Sequence, residues 1–210
     1  MSIRTDMAVE SFSQAGGAEK LQGVKVKNKV IENARLEVTD ITIETQEAAE
    51  KLGRPVGRYI TLTATDSTFD MYSDSFRERA EVIAKAIREL CCGCERFLAV
   101  GLGNYALTSD AVGPLTAEKI FATRHIKSLA KEIDTDDLGE VTVIQPGVLG
   151  NTGIESSEQV KAIAERVTPQ AIIAVDALAC SELSNLGRTI QLCNLSLIHI
   201  SEPTRRRGIS

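Results

Sequence analysis

The stretch Phe97 to Pro114, FLAVGLGNYALTSDAVGP, constrains the fold of this chain more than any other. Phe97-Leu98-Ala99-Val100 is a continuous apolar run, which suits a strand covered on both faces in a parallel sheet. Gly101 and Gly103 let the backbone turn sharply after it. Asn104 adds a side chain able to bond nearby backbone, and Ser109-Asp110 precede Gly113-Pro114, where a helix can begin. Asp110 is therefore expected at the carboxyl end of a strand, beside a helix start, the edge where open α/β sheets hold their ligands. A helix cap is the plainer local reading of Asp110. Gly101 and Gly103 also open a dinucleotide-like pattern, but its third glycine position is Ala106, and Pro114 with an aspartate on the loop suits a pyrophosphate poorly.

Two more segments repeat the arrangement. Val141 to Gln145, VTVIQ, reads as a buried strand that delivers a glycine-rich loop, PGVLGNTGIE, over Pro146 to Glu155. Gln170 to Val175, QAIIAV, reads as a third buried strand ending at Asp176, the second carboxylate to leave a strand end. Helices are expected from Pro114 to about Arg124 and from Ser156 to about Val167. The order strand, helix, strand, helix, strand predicts an α/β fold with a doubly wound, mostly parallel sheet and helices on both faces. Arg188 to Cys193 is one more strand.

Upstream, Ala34 to Thr45 alternates as a strand with Leu36, Val38, Ile41 and Ile43 as its apolar members and a bulge near Asp40 where the phase slips. Gln46 to Leu52 is a short helix closed by Gly53, and Gly57 to Thr65 another strand. Ser73 to Leu90 is the clearest helix, with a Ser75/Glu78 capping box and Phe76, Ala80, Ile83, Ile87 and Leu90 on one face. The first two dozen residues lack a periodic apolar pattern and read as a mobile arm. Within it, Arg4 to Glu10 alternates acidic and apolar side chains, as an extended chain fitting a protease cleft by strand addition would.

The totals narrow the class. With 210 residues, 24 Lys+Arg against 29 Asp+Glu and a net charge of −5, the chain suits one domain plus an extension and argues against general nucleic-acid binding. No long apolar run or signal-peptide centre is present, so a cytoplasmic protein is expected, without a membrane contact. Cys91, Cys92, Cys94, Cys180 and Cys193 are an odd set with no second pair at zinc-ligand spacing, and only His125 and His199 could join them. Reduced thiols are expected rather than disulfides or a metal.

Taken together, these blocks resemble the germination protease family, also called spore protease. The likeness is carried by Gly101 to Asn104 with Ser109 to Pro114, by Pro146 to Glu155, by Val175 to Ala179 followed by Asn185 and Arg188 to Gln191, and by Arg4 to Glu10. The resemblance implies an endopeptidase that degrades small acid-soluble, DNA-coating spore proteins at germination in the spore core. It also implies a homotetramer without a cofactor, made as a zymogen that cuts itself between Asp6 and Met7, before Ala8 and Glu10. Family members use two aspartates as an atypical aspartic protease, and these carry over onto Asp110 and Asp176. Gly101, Gly103, Asn104, Gly147, Gly150, Thr152 and Gly153 would then shape the loops or bind substrate. The fold also resembles the hydrogenase-maturation proteases, where equivalent carboxylates hold a metal; none of the three loops here contains a histidine.

The likeness stops near Asn194, whereas family members continue into a long C-terminal portion. Ser196 to Arg206, SLIHISEPTRR, resembles a translated sequencing adapter, with a divergent basic tail as the alternative. The expected organisation is a propeptide over residues 1–6, a partial α/β peptidase domain over 7–195 and a non-native tail over 196–210. Two other functions fit the residues: a metal-dependent maturation peptidase of the same fold, and a non-enzymatic domain binding a nucleotide or other anion through Gly101 to Asn104 and Gly147 to Gly153.

Overall fold

Alternating apolar residues along the N-terminal strands build a sheet that is covered on both faces. A computed structural model of the chain describes residues 5–14, 16, 22–129 and 138–195. The tail over 196–210, and Arg4 of the N-terminal segment, lie outside the described residues. The chain divides into two units, Met1–Cys92 with Leu178–Ser210, and Gly93–Ala177.

The first unit contains α1 (Ala8–Gln14), β1 (Val24–Ile31), β2 (Leu36–Ile43), α2 (Gln46–Leu52), β3 (Gly57–Ala64), α3 (Phe76–Leu90) and, after the second unit, β7 (Thr189–Asn194). The strands form one sheet in the order β1-β2-β3-β7, every pair antiparallel. The expected doubly wound, mostly parallel sheet is thus corrected: four of the seven strands among the described residues pair antiparallel, β7 among them. β2 runs without the bulge expected near Asp40, its register unbroken from Leu36 opposite Ala64 to Ile43 opposite Gly57. The slip in its apolar phase is instead a change of face. Leu36 and Val38 join Ala64, Leu62 and Ile60 against Val82 and Ala86 of α3. Ile41 and Ile43 point the other way, onto Tyr59, Ala8 of α1 and Ala48, Ala49 and Leu52 of α2.

Local sequence explains the small helix. Thr45 caps α2 by accepting from Ala48 N at 3.3 Å, and Gly53, at φ 62°, closes it in the left-handed region that favours glycine. α3 departs from expectation. Ser75 precedes its first residue but makes no side-chain cap bond; its hydroxyl pairs with Ser73 at 3.0 Å. The buried face is rotated, with Arg79 and Ala86 inside while Ala80 is exposed and Phe76 half-exposed. The rotation follows Arg79. Its guanidinium donates to Ala34 O at 3.1 Å, to Thr68 O at 3.2 Å and to the Asp66 carboxylate, and it lies 5.4 Å from the Phe69 ring centroid.

The N-terminal segment is a second correction, since among its described residues 5–7 have no regular structure and Ala8–Gln14 is helix. Met7, Ala8 and Glu10 are 4%, 3% and 3% exposed, so this part of the expected arm is anchored in the first unit's core. β1 was not anticipated at all. It is an edge strand whose Lys25, Lys27 and Lys29 alternate with Val24 and Val26, a pattern that discourages further pairing.

The second unit contains β4 (Arg96–Gly101), α4 (Val112–Lys119), α5 (Arg124–Leu129), β5 (Glu140–Ile144), α6 (Leu149–Thr152), α7 (Ser156–Val167) and β6 (Ala171–Val175). Its three strands are parallel, in the order β5-β4-β6. Leu98 and Val100 face Val160 and Ala164 of α7, while Gly101 faces Gly113 and Ala117 of α4, so this sheet carries helices on both faces. Only β4 is buried as expected. β5 and β6 have one strand neighbour each and are half-buried along nearly their whole length.

Candidate active site

The second unit's strand order fixes where its loops meet. β4 is central; the chain crosses from it to β5 on one side, then passes back to β6 on the other. The carboxyl ends of β4 and β6 are where successive connections leave in opposite directions, the usual ligand position in such sheets. Gly101 is in register with Val175, so the residues following them leave the sheet at one level of the same edge. Asp110 lies on the loop that follows β4, and Asp176 is the first residue beyond β6.

Close backbone approach shapes the loop after β4. Leu102 N donates to Val175 O at 2.9 Å, continuing the β4–β6 pairing past the strand ends. Gly103 adopts φ 117° and passes against Asp110, where an added Cβ would collide with the Asp110 carbonyl and stand 3.1 Å from Oδ1. Gly113 is tighter, because a Cβ there would overlap both Leu102 O and Val175 O. Two glycines thus let the start of α4 press against the end of the β4–β6 pair.

Asp110 closes a 3-10 turn over Thr108–Asp110, directly before α4. Its Oδ2 accepts from Asn104 N at 2.8 Å and its carbonyl from the same N–H at 3.1 Å. Asn104 Oδ1 accepts from Ala106 N at 3.0 Å. One Asp110 oxygen is therefore engaged by the backbone, and the side chain is half-buried rather than sealed. Asp176 Oδ1 accepts from its neighbour, Ala177 N, at 2.8 Å. Each carboxylate accepts from a main-chain donor, which sets its orientation.

The loop after β5 is partly helical. Gly147, at φ 73°, turns the chain into α6, and Gly153, at φ 72°, closes that helix. Thr152 Oγ1 donates to Ile154 O at 2.9 Å, and Ser156 Oγ donates to Gly147 O at 2.7 Å. Gly150 has open space around it. An anion cradle needs unpaired N–H groups, yet those of Leu102, Asn104, Asn151, Thr152 and Gly153 already have backbone or carboxylate acceptors. Among the described residues, no group of three or more His, Cys, Asp or Glu side chains is placed to share a metal ion.

In the first unit, Asp6 and Met7 lie in a separate network. Asp6 N donates to Ala179 O at 2.8 Å, and Ala179 N donates to Asp6 Oδ2 at 3.4 Å. Gln191 grips the Asp6–Met7–Ala8 backbone at two points: its Oε1 accepts from Ala8 N at 2.7 Å and its Nε2 donates to Asp6 O at 3.4 Å. Arg54 donates to Thr5 O at 2.7 Å.

Sequence comparison adds the decisive observation, because a family model of the germination proteases matches residues 3–206. The chain belongs to the germination protease family. It is 36% identical over 201 residues to the germination protease of Clostridium perfringens, covering 93% of this chain and 61% of the relative. The Clostridium tetani germination protease is 36% identical over 203 residues, 94% of this chain and 61% of its own length. That of Priestia megaterium is 35% identical over 205 residues, 91% of this chain and 54% of its own. The chain thus spans about three fifths of the Clostridium germination proteases it matches. No helix among the described residues is long and apolar enough to cross a membrane.

Gln191 is a residue of this family member to which the sequence assigns no role. Gln191 ends the run Arg188 to Gln191, but its partners at Asp6 and Ala8 are about 185 positions away. No local pattern could have found that pairing.

Proposed function

We propose that this chain carries the catalytic part of a spore-germination endopeptidase of aspartic type, with Asp110 and Asp176 as its paired carboxylates. The observation that supports this most is that both lie on loops leaving adjacent parallel strands whose ends, Gly101 and Val175, are in register, at the point where the strand order reverses. The order β5-β4-β6 is also that of a doubly wound sheet, which supports the likeness to hydrogenase-maturation proteases within this unit.

Two carboxyl groups facing one peptide cannot both ionise easily, so they share a proton. The ionised member takes a proton from water as the oxygen attacks the scissile carbonyl carbon. The protonated member hydrogen-bonds the carbonyl oxygen and stabilises the charge that develops there. The C–N bond then breaks as the amine gains a proton, giving one new carboxylate and one new N-terminus. Gly101, Gly103 and Asn104 shape the Asp110 loop, and Gly147, Gly150, Thr152 and Gly153 its counterpart after β5.

The same activity acts on the chain itself between Asp6 and Met7, so residues 1–6 are a propeptide. Small acid-soluble spore proteins are the external substrates, in the forespore and spore core, and the working assembly is a homotetramer. Incubation of the chain at mildly acid pH, followed by N-terminal sequencing, should give a new terminus at Met7. Asp110→Asn and Asp176→Asn should each slow its appearance at least about 100-fold. Undiminished processing in both variants removes the dyad, and no cut at Met7 in the unaltered chain removes the zymogen reading.

A further inference from the structure

The edge strand β1 turns a basic face toward α3. Lys27 stands opposite Asp40 and Lys29 opposite Val38, and residues directly opposite in an antiparallel pair share a face. Val38 packs with Ala86 of α3, so both lysines lie on the side of the sheet that the helix covers. A groove of about 350 Å³ runs there, with β1 as one wall and α3 as the other. Its floor is apolar, made by Val38, Ile60 and Leu62 of the sheet with Val82 and Ala86 of the helix.

The rim is charged, and unevenly. Lys27, Lys29, Lys85 and Arg58 line the groove against Asp40 and Glu89, four cations to two carboxylates in a chain whose net charge is −5. Both carboxylates are engaged by Arg58, whose Nη2 lies 2.7 Å from Asp40 Oδ2 and 3.4 Å from Glu89 Oε2. Among the described residues no ion pair joins Lys27, Lys29 or Lys85 to either of them. Lysines on an edge strand deter further pairing, but that role does not account for the apolar floor open beside them. A fully polar anion would leave that floor unused, and a neutral or cationic apolar molecule would leave the lysines unmatched. The volume suits a small molecule, near the lower end of the roughly 300–1,000 Å³ of ordinary ligand sites.

We propose that the groove between β1 and α3 binds a medium-chain aliphatic carboxylate, its alkyl chain on the Val38–Ile60–Leu62 floor and its carboxylate at Lys27, Lys29 and Lys85. Apolar area removed from water supplies most of the affinity. The lysines are exposed, so they select the sign of the headgroup more than they tighten binding. Every residue of the groove belongs to the first unit, whereas Asp110 and Asp176 belong to the second. The site is therefore separate from the carboxylate pair and holds whatever that pair cleaves.

The test is calorimetric titration of the full chain, near neutral pH and at low salt, with decanoate, octanoate and decyltrimethylammonium. Decanoate should bind at about one equivalent per chain, and octanoate, two methylenes shorter, about tenfold more weakly. Decyltrimethylammonium should bind at least about tenfold more weakly than decanoate. Lys27→Gln combined with Lys29→Gln changes two exposed side chains, and it should weaken decanoate about tenfold and erase its advantage over the cation. Val82→Phe narrows the groove and should weaken decanoate and octanoate alike by at least about tenfold. If circular dichroism shows Val82→Phe unfolded, the lysine pair alone decides. No decanoate binding, several equivalents per chain, or an anion preference that survives the double lysine variant overturns the site. So does co-sedimentation with phosphatidylglycerol vesicles in the absence of decanoate binding, which would assign the lysines to a membrane surface instead. Binding needs no cleavage, so inactive Asp110→Asn and Asp176→Asn variants should titrate as the parent chain does.

Discussion

The two units of this chain reach order by different means. Among its described residues the antiparallel unit buries two charged side chains, Glu10 and Arg79, and both tie distant segments together through main-chain atoms. In the parallel unit the buried polar residue among those described is Thr123, which donates to Gly139 O and accepts from Val141 N, and the site loop is set by glycines instead. Charged anchors tolerate small shifts but fail when a partner is lost. Glycine contacts need no partner chemistry but tolerate no added volume.

That contrast is most easily broken at Gly113. Any Cβ there overlaps two carbonyl oxygens of the β4 and β6 ends, and backbone on both sides has no room to retreat. Gly113→Ala should destabilise the parallel unit by about 4 kcal/mol or more, seen as lost hydrogen-exchange protection at the β4 amides. Gly150→Ala is the matched control, with open space around its Cβ, and should change protection by less than about 0.5 kcal/mol. Similar behaviour of the two variants would mean that glycine packing does not set the Asp110 loop.

Arg79 tests the other half of the comparison. Arg79→Met keeps the length and apolar stem but strips donors from Ala34 O, Thr68 O and Asp66. Asp66 keeps its ion pair with Arg35 at 2.8 Å, the main reason its carboxyl lies well below the usual range, so the loss falls chiefly on the two carbonyls. A cost of about 3 kcal/mol is expected from urea unfolding. A cost under about 1 kcal/mol would assign the unit's stability to its apolar layers, where Leu36, Ile41, Ile43 and Leu62 are almost fully covered and each contribute roughly 2 kcal/mol.

The same contrast explains how much could be read from sequence. α2 was readable to the residue, because Thr45 and Gly53 mark both ends chemically. So was the sequence of apolar runs ending in glycine or aspartate that became β4, β5 and β6, since each signal is local. The pairing of β7 was not, because Thr189 to Asn194 follows β6 in sequence but hydrogen-bonds β3, some 130 positions upstream. Nor was α1. Seven residues cannot form a stable helix by propensity, and what holds them is a carboxylate bonded 171 positions away. Arg79 rotated α3 for a similar reason, since the charge that reads as a solvent face is satisfied by carbonyls of other segments.

The smallest effect expected is the pH dependence of the Glu10 anchor. Burial works against ionisation there, but bonds from Ser181, Thr5 and Asn185 outweigh it and bring the carboxyl from 4.5 down to about 2. A group whose pKa is lower in the folded state adds stability above its unfolded value and loses it as pH falls through the folded one. The contribution should therefore be complete above about pH 4.5 and disappear towards pH 2, amounting to about 1–2 kcal/mol once solvent screening is allowed for. Glu10→Gln cannot titrate, so the difference in urea midpoint between the parent chain and this variant should shrink steadily across that interval. A difference that stays constant with pH would show that the glutamate holds α1 by shape rather than by charge, and the antiparallel unit would then rely on packing in the same way as its parallel neighbour.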